Sequence, residues 1–263
     1  MQLTPLFSGS SGNCLLAEDG STKFLIDAGL PGNRITQALS RTGTDISEIK
    51  AIIISHEHTD HTAGAGVLSR KLRCPVYSNR QTYDAMAPFI GNIRDEHIVH
   101  FENDKPFFID GLSITAFPVS HDAADPVGFT VTDGKKKLGI ATDFGEITQC
   151  ILDHLLGSDS AYIESNHDIR MLNEGSYPFS LKQRISGCLG HLSNTDSARL
   201  CTELIAAGTK RITLGHLSLE NNTPQTAFET AERIIREAGM KIRIDYLLDV
   251  AKRSDVSDIL YVK

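Results

Sequence analysis

Three imidazoles and two carboxylates crowd the segment His56-Glu57-His58-Thr59-Asp60-His61, directly after the apolar run Ala51-Ile52-Ile53-Ile54-Ser55. Neutral imidazole nitrogens and carboxylate oxygens are what divalent transition metals take as ligands, and the His, His, Asp and His donors at this spacing can serve two ions. In an extended turn, His56 and His58 project to one side by period-2 alternation. Asp60 and His61, at the opening of a helix expected over 62–72, can turn towards a second ion. Further donors follow in order: His121 after Phe117-Pro118-Val119-Ser120, Asp143 after Leu138-Gly139-Ile140-Ala141-Thr142, and His216 after Ile212-Thr213-Leu214-Gly215. Each follows a short apolar run ending in small residues, the form expected where a core strand delivers a side chain to a site at its end.

The elements that must position these donors alternate in type. Short strands are expected at 3–7, 13–17, 23–26 and 51–55, with a helix over 32–41 between the last two. Strand-like pieces cluster from 106 to 142, with Asp133-Gly134 as a hairpin turn. Helical patterns occupy 147–156, 181–189, 195–207 and 224–238, and alternate with strands at 161–164, 211–214 and 241–246. Periodicity alone gives an α/β protein. With 263 residues, no Pro- or Ser-rich linker and no composition shift, the chain reads as one domain, 1–263. No apolar run approaches the roughly 20 residues of a membrane span, and no leader-like N-terminal segment is visible. The five cysteines are odd in number and lack CxxC spacing, which predicts reduced thiols in a cytoplasmic protein.

The HxHxDH pattern resembles the signature of the metallo-β-lactamase superfamily, whose later ligands are matched in order by His121, Asp143 and His216. The resemblance implies an αββα four-layer sandwich. It further implies one divalent ion on His56, His58 and His121, another on Asp60, His61 and His216, and Asp143 bridging them. Asp27, in Phe24-Leu25-Ile26-Asp27-Ala28-Gly29, matches the family's early Asp, which accepts a hydrogen bond from a ligand and orients it. A water shared by two such ions loses a proton near neutral pH and serves as nucleophile, with Asp60 counted among the catalytic groups. Zinc, manganese and iron all suit this donor set.

Gly190-His191-Leu192-Ser193-Asn194 is similar to the His-Ser/Thr segment of the phosphodiesterase branch, the ribonuclease Z-like enzymes. There an additional His outside the metal set faces the scissile phosphate, where it can hydrogen-bond a phosphoryl oxygen or protonate the leaving alkoxide. Glu164, in Ala161-Tyr162-Ile163-Glu164-Ser165-Asn166-His167-Asp168, is the candidate for orienting His191. Ser193 and Asn194 are candidate substrate contacts at a helix start, and one of them is expected to cap that helix. Ser10 and Asn13, in Phe7-Ser8-Gly9-Ser10-Ser11-Gly12-Asn13-Cys14, are candidates for lining the cleft. That loop lacks the Gly-Lys-Ser/Thr ending of a phosphate-binding P-loop.

The segments SGSSGN, ESNHD, 120–129 and 214–222 resemble one bacterial branch, the YycJ/WalJ (VicX) group, over residues 3 to about 225. This implies a cytoplasmic exonuclease acting on DNA with preference for a 5′ end. The interval between Asp143 and His216 is too short for the large insertion of the RNA-processing relatives. A net charge of −7 lowers the expectation of tight duplex binding. Local charge matters more: two divalent ions against two carboxylates and a hydroxide leave the site about +1. Lys135-Lys136-Lys137, Lys182 with Arg184, and Lys210-Arg211 are candidate guides for a backbone. Phe7, Phe144 and Tyr177 are candidate stacking aromatics in a chain without Trp. Two other classes remain open. One is a small-molecule thioester or lactone hydrolase using the same ions; the other is a non-catalytic regulatory metalloprotein. His97, His100 and His154 carry no metal spacing.

Overall fold

The computed structural model describes residues 1–262. The N-terminal part supplies strands β1 (Gln2–Phe7), β2 (Cys14–Asp19), β3 (Thr22–Ile26), β4 (Ile49–Ile53), β5 (Val76–Ser78) and β6 (Ile98–His100). The remainder supplies β7 (Pro106–Ile109), β8 (Leu112–Pro118), β9 (Val127–Thr132), β10 (Lys137–Ala141), β11 (Ser160–Glu164), β12 (Arg211–Gly215), β13 (Leu247–Val250) and β14 (Leu260–Tyr261). They form two seven-stranded sheets, ordered β14-β1-β2-β3-β4-β5-β6 and β13-β12-β11-β10-β9-β8-β7. Helices α1 (Gly32–Arg41), α2 (Thr59–Thr62), α3 (Ala65–Leu72) and α4 (Arg80–Ile90) belong to the first half. The second half carries α5 (Gln149–Leu155), α6 (Ile169–Glu174), α7 (Phe179–Ser186), α8 (Asn194–Ala206) and α9 (Pro224–Glu237).

Three apolar clusters define four layers. The central one brings Phe24, Ile26, Ala51 and Ile53 of the first sheet against Ile114, Phe129, Ile140 and Tyr162 of the second. A second packs Leu25, Ile52 and Ile54 on Ile35, Leu39, Leu68 and Met86 of the covering helices. The third packs Ile163, Ile212 and Leu214 on Ile151, Leu200, Leu204 and Ile235. Because β4 is buried on both faces, it reads as a continuous apolar run rather than an alternating one. The αββα sandwich expected from the motifs is the observed fold.

The topology places the chemistry at one end of the strands. β3 and β4 are parallel, as are β10, β11 and β12. β8 is antiparallel to β9, which is antiparallel to β10, so β8 and β10 run the same way. Asp27, His56, His121, Asp143, Glu164 and His216 all lie at or just beyond the C-terminal ends of these strands.

Several boundaries depart from the sequence-based expectation. The helix expected over 62–72 is split into α2 and α3. Gly64 interrupts it: its N–H donates to Ala28 O at 2.7 Å, and a Cβ there would sit 2.2 Å from Leu30 O. The helix expected over 181–189 sits earlier, at α7, and ends at Gly187. The strand expected at 241–246 is a turn, with Ile244 exposed and Arg243 left-handed. Asp245 closes that turn by accepting from Lys241 N at 2.7 Å, and the strand shifts to β13. No helix among the described residues is long and apolar enough to cross a membrane.

Candidate active site

Asp27, Asp143 and His216 share a backbone feature: each follows a core strand and adopts positive φ, of 60°, 58° and 54° respectively. Non-glycine residues occupy this left-handed region seldom, and Asn, Asp and His tolerate it best. The turn stops each strand and directs the next side chain back over the strand ends. His58 is the N-cap of α2, which carries Asp60 and His61 in a single turn.

The rings converge. His56 lies 4.6 Å from His58, 4.1 Å from His61 and 5.1 Å from His121, between centroids, and His61 stacks at 5.9 Å on His216. Donor atoms of His56, His58 and His121 all lie within 4.8 Å of one another. Asp143 faces both sides of the cluster. Its Oδ1 is 3.9 Å from His121 Nε2, and its Oδ2 is 3.4 Å from His61 Nε2 and 3.1 Å from His216 Nδ1. Asp60 Oδ2 is 3.6 Å from His61 Nε2.

Hydrogen bonds outside the cluster fix the rings. Asp27 accepts from His61 Nδ1 at 2.7 Å and from Ser55 N at 2.8 Å. Ser55 Oγ also reaches Asp27 Oδ2 at 2.9 Å and His56 Nδ1 at 3.0 Å. The serine hydroxyl donates to the carboxylate and therefore accepts from His56, so one buried Asp holds two rings with Nε2 turned to the cluster. His121 Nδ1 donates to Gly190 O at 3.1 Å, leaving its Nε2 free as well. Ser55 was not singled out in the sequence, although its place between an apolar strand and the first His is a visible cue.

The electrostatics call for cations. Burial, reinforced by the neighbouring His61, pushes His56 well below the ordinary imidazole range, and burial lowers His121 too, so both are neutral donors. Burial also disfavours charge on His61, but Asp27 and Asp143 outweigh it and raise His61 to about 10. Asp143 is buried as well, yet His216 and His61 hold it well below the usual carboxylate range. His56 Nε2 is buried with no hydrogen-bond partner, and Asp143 Oδ2 and His216 Nδ1, buried 3.1 Å apart, are bonded to no other group. Buried polar atoms are seldom left this way. A lone pair on each, converging with further imidazoles on one volume, fits divalent metal ions.

His191 stands beside this cluster, its ring 5.2 Å from His121 and 5.3 Å from His216. Glu164, fully buried, accepts from His191 Nδ1 at 2.7 Å and from Phe144 N at 3.0 Å. Burial lowers the His191 pKa, but the Glu164 carboxylate overrides it and raises it to about 9. Its other nitrogen, Nε2, remains for a substrate.

The remaining candidates fall in different places. Asn13 is buried, its Nδ2 3.0 Å from His61 Nε2 and 3.4 Å from Asp60 Oδ2, so it abuts the cluster itself. Ser10 is exposed and lines the cavity beside His121 and His191. Ser193 caps α8, accepting from Asp196 N at 3.1 Å while donating to Asp196 Oδ2. Asn194 is buried, its amide bonded to Ser165 and Asn222. Both side chains are thus engaged within the protein. His167 is buried, and burial lowers it to about 4. Of the aromatics, Phe7 and Phe144 are core, and Tyr177 lines the cavity. His154 stacks on Phe117 and pairs with Asp104 away from the site. Among the basic clusters, Arg184 reaches the cavity wall, whereas Lys136 pairs with Asp159.

Comparison with known proteins agrees with this geometry. Residues 22–216 match the family described as the beta-lactamase superfamily domain. The chain is 37% identical over 243 residues to exodeoxyribonuclease YycJ of Bacillus anthracis, covering 92% of each chain. It is equally 37% identical to exodeoxyribonuclease WalJ of Streptococcus pneumoniae, covering 92% of this chain and 90% of that one. Its fold matches the metallo-β-lactamase fold protein YhfI of Bacillus subtilis with a TM-score of 0.73 at 17% identity, over 98% of this chain and 99% of that one. The short form of human tRNase Z matches with a TM-score of 0.68 at 14% identity, over the full length of both. On the ordered ligand motifs, the αββα architecture and these likenesses, the chain belongs to the beta-lactamase superfamily.

Proposed function

We infer that this chain is a metal-dependent exodeoxyribonuclease that hydrolyses single-stranded DNA from a 5′ end. The observation that carries the reading is His191, held on Glu164 at 2.7 Å and set against the histidine–aspartate cluster without belonging to its buried rings. A lactone or thioester hydrolase needs the cluster; a phosphodiesterase also needs a proton donor for a phosphoryl or leaving oxygen. The 37%-identical relatives, themselves named exodeoxyribonucleases, support DNA as the substrate.

Two ions are proposed: His56, His58 and His121 would hold one, Asp60, His61 and His216 the other, and Asp143 would serve both. When bound, such ions polarise the phosphoryl group and make water acidic enough to attack near neutral pH. The protein's own groups do the rest. Asp27 and Ser55 keep Nδ1 of His61 and His56 occupied, so that Nε2 of neutral His56 offers a lone pair and Nε2 of His61 would offer one once a bound cation displaced its proton. His191 carries the proton on Nε2, and Glu164 stabilises the imidazolium until that proton passes to the departing oxygen. We read the protein as cytoplasmic, since all five cysteines are free thiols.

The test is degradation of 5′-labelled and 3′-labelled single-stranded DNA with added manganese, beside His58→Ala and His191→Ala. Early release of the 5′ label, lost in both variants, is the expected result. DNA left intact by the metal-loaded wild type refutes the reading and directs attention to thioester and lactone substrates.

A further inference from the structure

Beside His121 and His191 lies a cavity of about 210 Å³. One wall is α7 with the loop before it, which contributes Tyr177, Leu181, Arg184 and Ile185. None of the α7 residues is buried, so this helix is not explained by the core. Arg184 donates through Nε to Asp122 Oδ2 at 2.6 Å, which anchors the guanidinium and leaves its two terminal nitrogens unengaged. Asn166, 3% exposed, donates through Nδ2 to His216 O at 3.1 Å, leaving Oδ1 without a partner at the cavity.

We propose that this cavity is a nucleotide pocket that holds the terminal nucleotide of the strand being degraded. Arg184 takes a phosphate, Tyr177 packs on the base, and Asn166 Oδ1 accepts an N–H or hydroxyl hydrogen. The assignment rests on the nuclease reading for its strand and on the cavity for its chemistry. Pockets that enclose drug-sized ligands measure about 300–1,000 Å³, so this smaller space seats no more than one nucleotide, with part of it outside the cavity mouth. A guanidinium with free terminal nitrogens matches two phosphate oxygens at once. An aromatic face beside the aliphatic Leu181 and Ile185 suits any base, because every base has a π face. Asp122 adds a negative charge to the wall, and Arg184 offsets it while keeping its terminal nitrogens for the phosphate. A pocket of this size beside His121 and His191 suits the end of a strand.

The experiment is calorimetric titration of the metal-loaded enzyme with thymidine 5′-monophosphate, with inorganic phosphate and thymidine as comparisons. It is repeated on Arg184→Gln, Tyr177→Ala and, as a control on α9, Arg233→Gln. The nucleotide is expected to bind at least about tenfold more tightly than either fragment, and to inhibit DNA degradation competitively. Arg184→Gln and Tyr177→Ala each weaken it by about tenfold; the control does not. Both positions are at the surface or half-buried, so the fold survives their substitution. Nucleotide binding no tighter than phosphate, or unchanged in both variants, places the ligand on the metal centre alone and overturns the proposal. If DNA is still degraded in that case, the nuclease reading stands without the pocket. Nucleotide binding by an enzyme that leaves DNA intact overturns the nuclease reading, and the pocket's role on a strand with it.

Discussion

Asp27→Asn should cripple metal binding although no metal need touch Asp27. The carboxylate accepts from His61 Nδ1, Ser55 N and Ser55 Oγ, and through Ser55 it sets His56. Asn is the mildest replacement, since it keeps the shape and tolerates the φ of 60° at this position. It cannot keep the bonding. If the new amide faces His61, it donates to Nδ1, the ring proton moves to Nε2, and the lone pair turned towards the ion is lost. If the amide faces Ser55 instead, two N–H donors confront each other. Loss of an outer partner of a ligating His costs about 10–100-fold in metal affinity, or about 1.4–2.8 kcal/mol. Because this Asp governs a ring on each proposed ion, the upper end, about 100-fold, is expected. Competition of the metal-free protein with a chromophoric chelator measures it, and circular dichroism checks that the variant is folded. A folded Asp27→Asn with affinities within about twofold of wild type for both ions would refute the orienting role.

Glu164→Gln should leave metal content unchanged and lower kcat by about 10²–10⁴-fold. Burial lowers the His191 pKa and Glu164 raises it to about 9, so the imidazolium persists below that pH and is lost above it. Without the carboxylate, the alkaline fall in the kcat–pH profile moves to lower pH; an unmoved profile counts against the pairing. Ser8→Ala removes the acceptor of His216 N at 2.8 Å and the partner of the buried Tyr162 hydroxyl. Chemical denaturation should show a loss of about 2 kcal/mol. Gly145→Ala puts a Cβ 2.2 Å from Gly187 O and 2.7 Å from the Cys188 carbonyl. It should displace the turn leading to His191, so that activity on DNA falls while metal content is retained.

Most of the candidate site was legible because its side chains are reactive types placed after apolar strands, and both features survive in linear sequence. The strand over 51–55 was recognisable as a run of β-branched residues, and its end supplied the first four donors. What packs in three dimensions was not legible. Ser55 stands at a visible strand end, but its bond to Asp27 spans 28 positions of chain and spacing does not encode it. Gly64 looks like a tolerable residue inside a helical pattern until its contact with Leu30 O is seen. Helix α4 escaped notice because Pro88 interrupts its pattern, although Asn79 caps it by accepting from Thr82 N at 2.9 Å. The alternation at Lys241-Ile242-Arg243-Ile244 suggested a strand, but Ile244 finds no core and Asp245 closes a local turn instead. The cavity wall on α7 depends on how that helix lies against the His121 loop, which spacing does not encode.

On the proposed reading, this cluster cleaves DNA only with both of its metal positions filled. The most direct measurement titrates metal-free protein with manganese while following hydrolysis of single-stranded DNA and the bound metal together. Activity should appear as the second equivalent binds, and His56→Ala and His216→Ala should each lose one equivalent and most activity. Full activity at a single equivalent, or none at any loading, would contradict it.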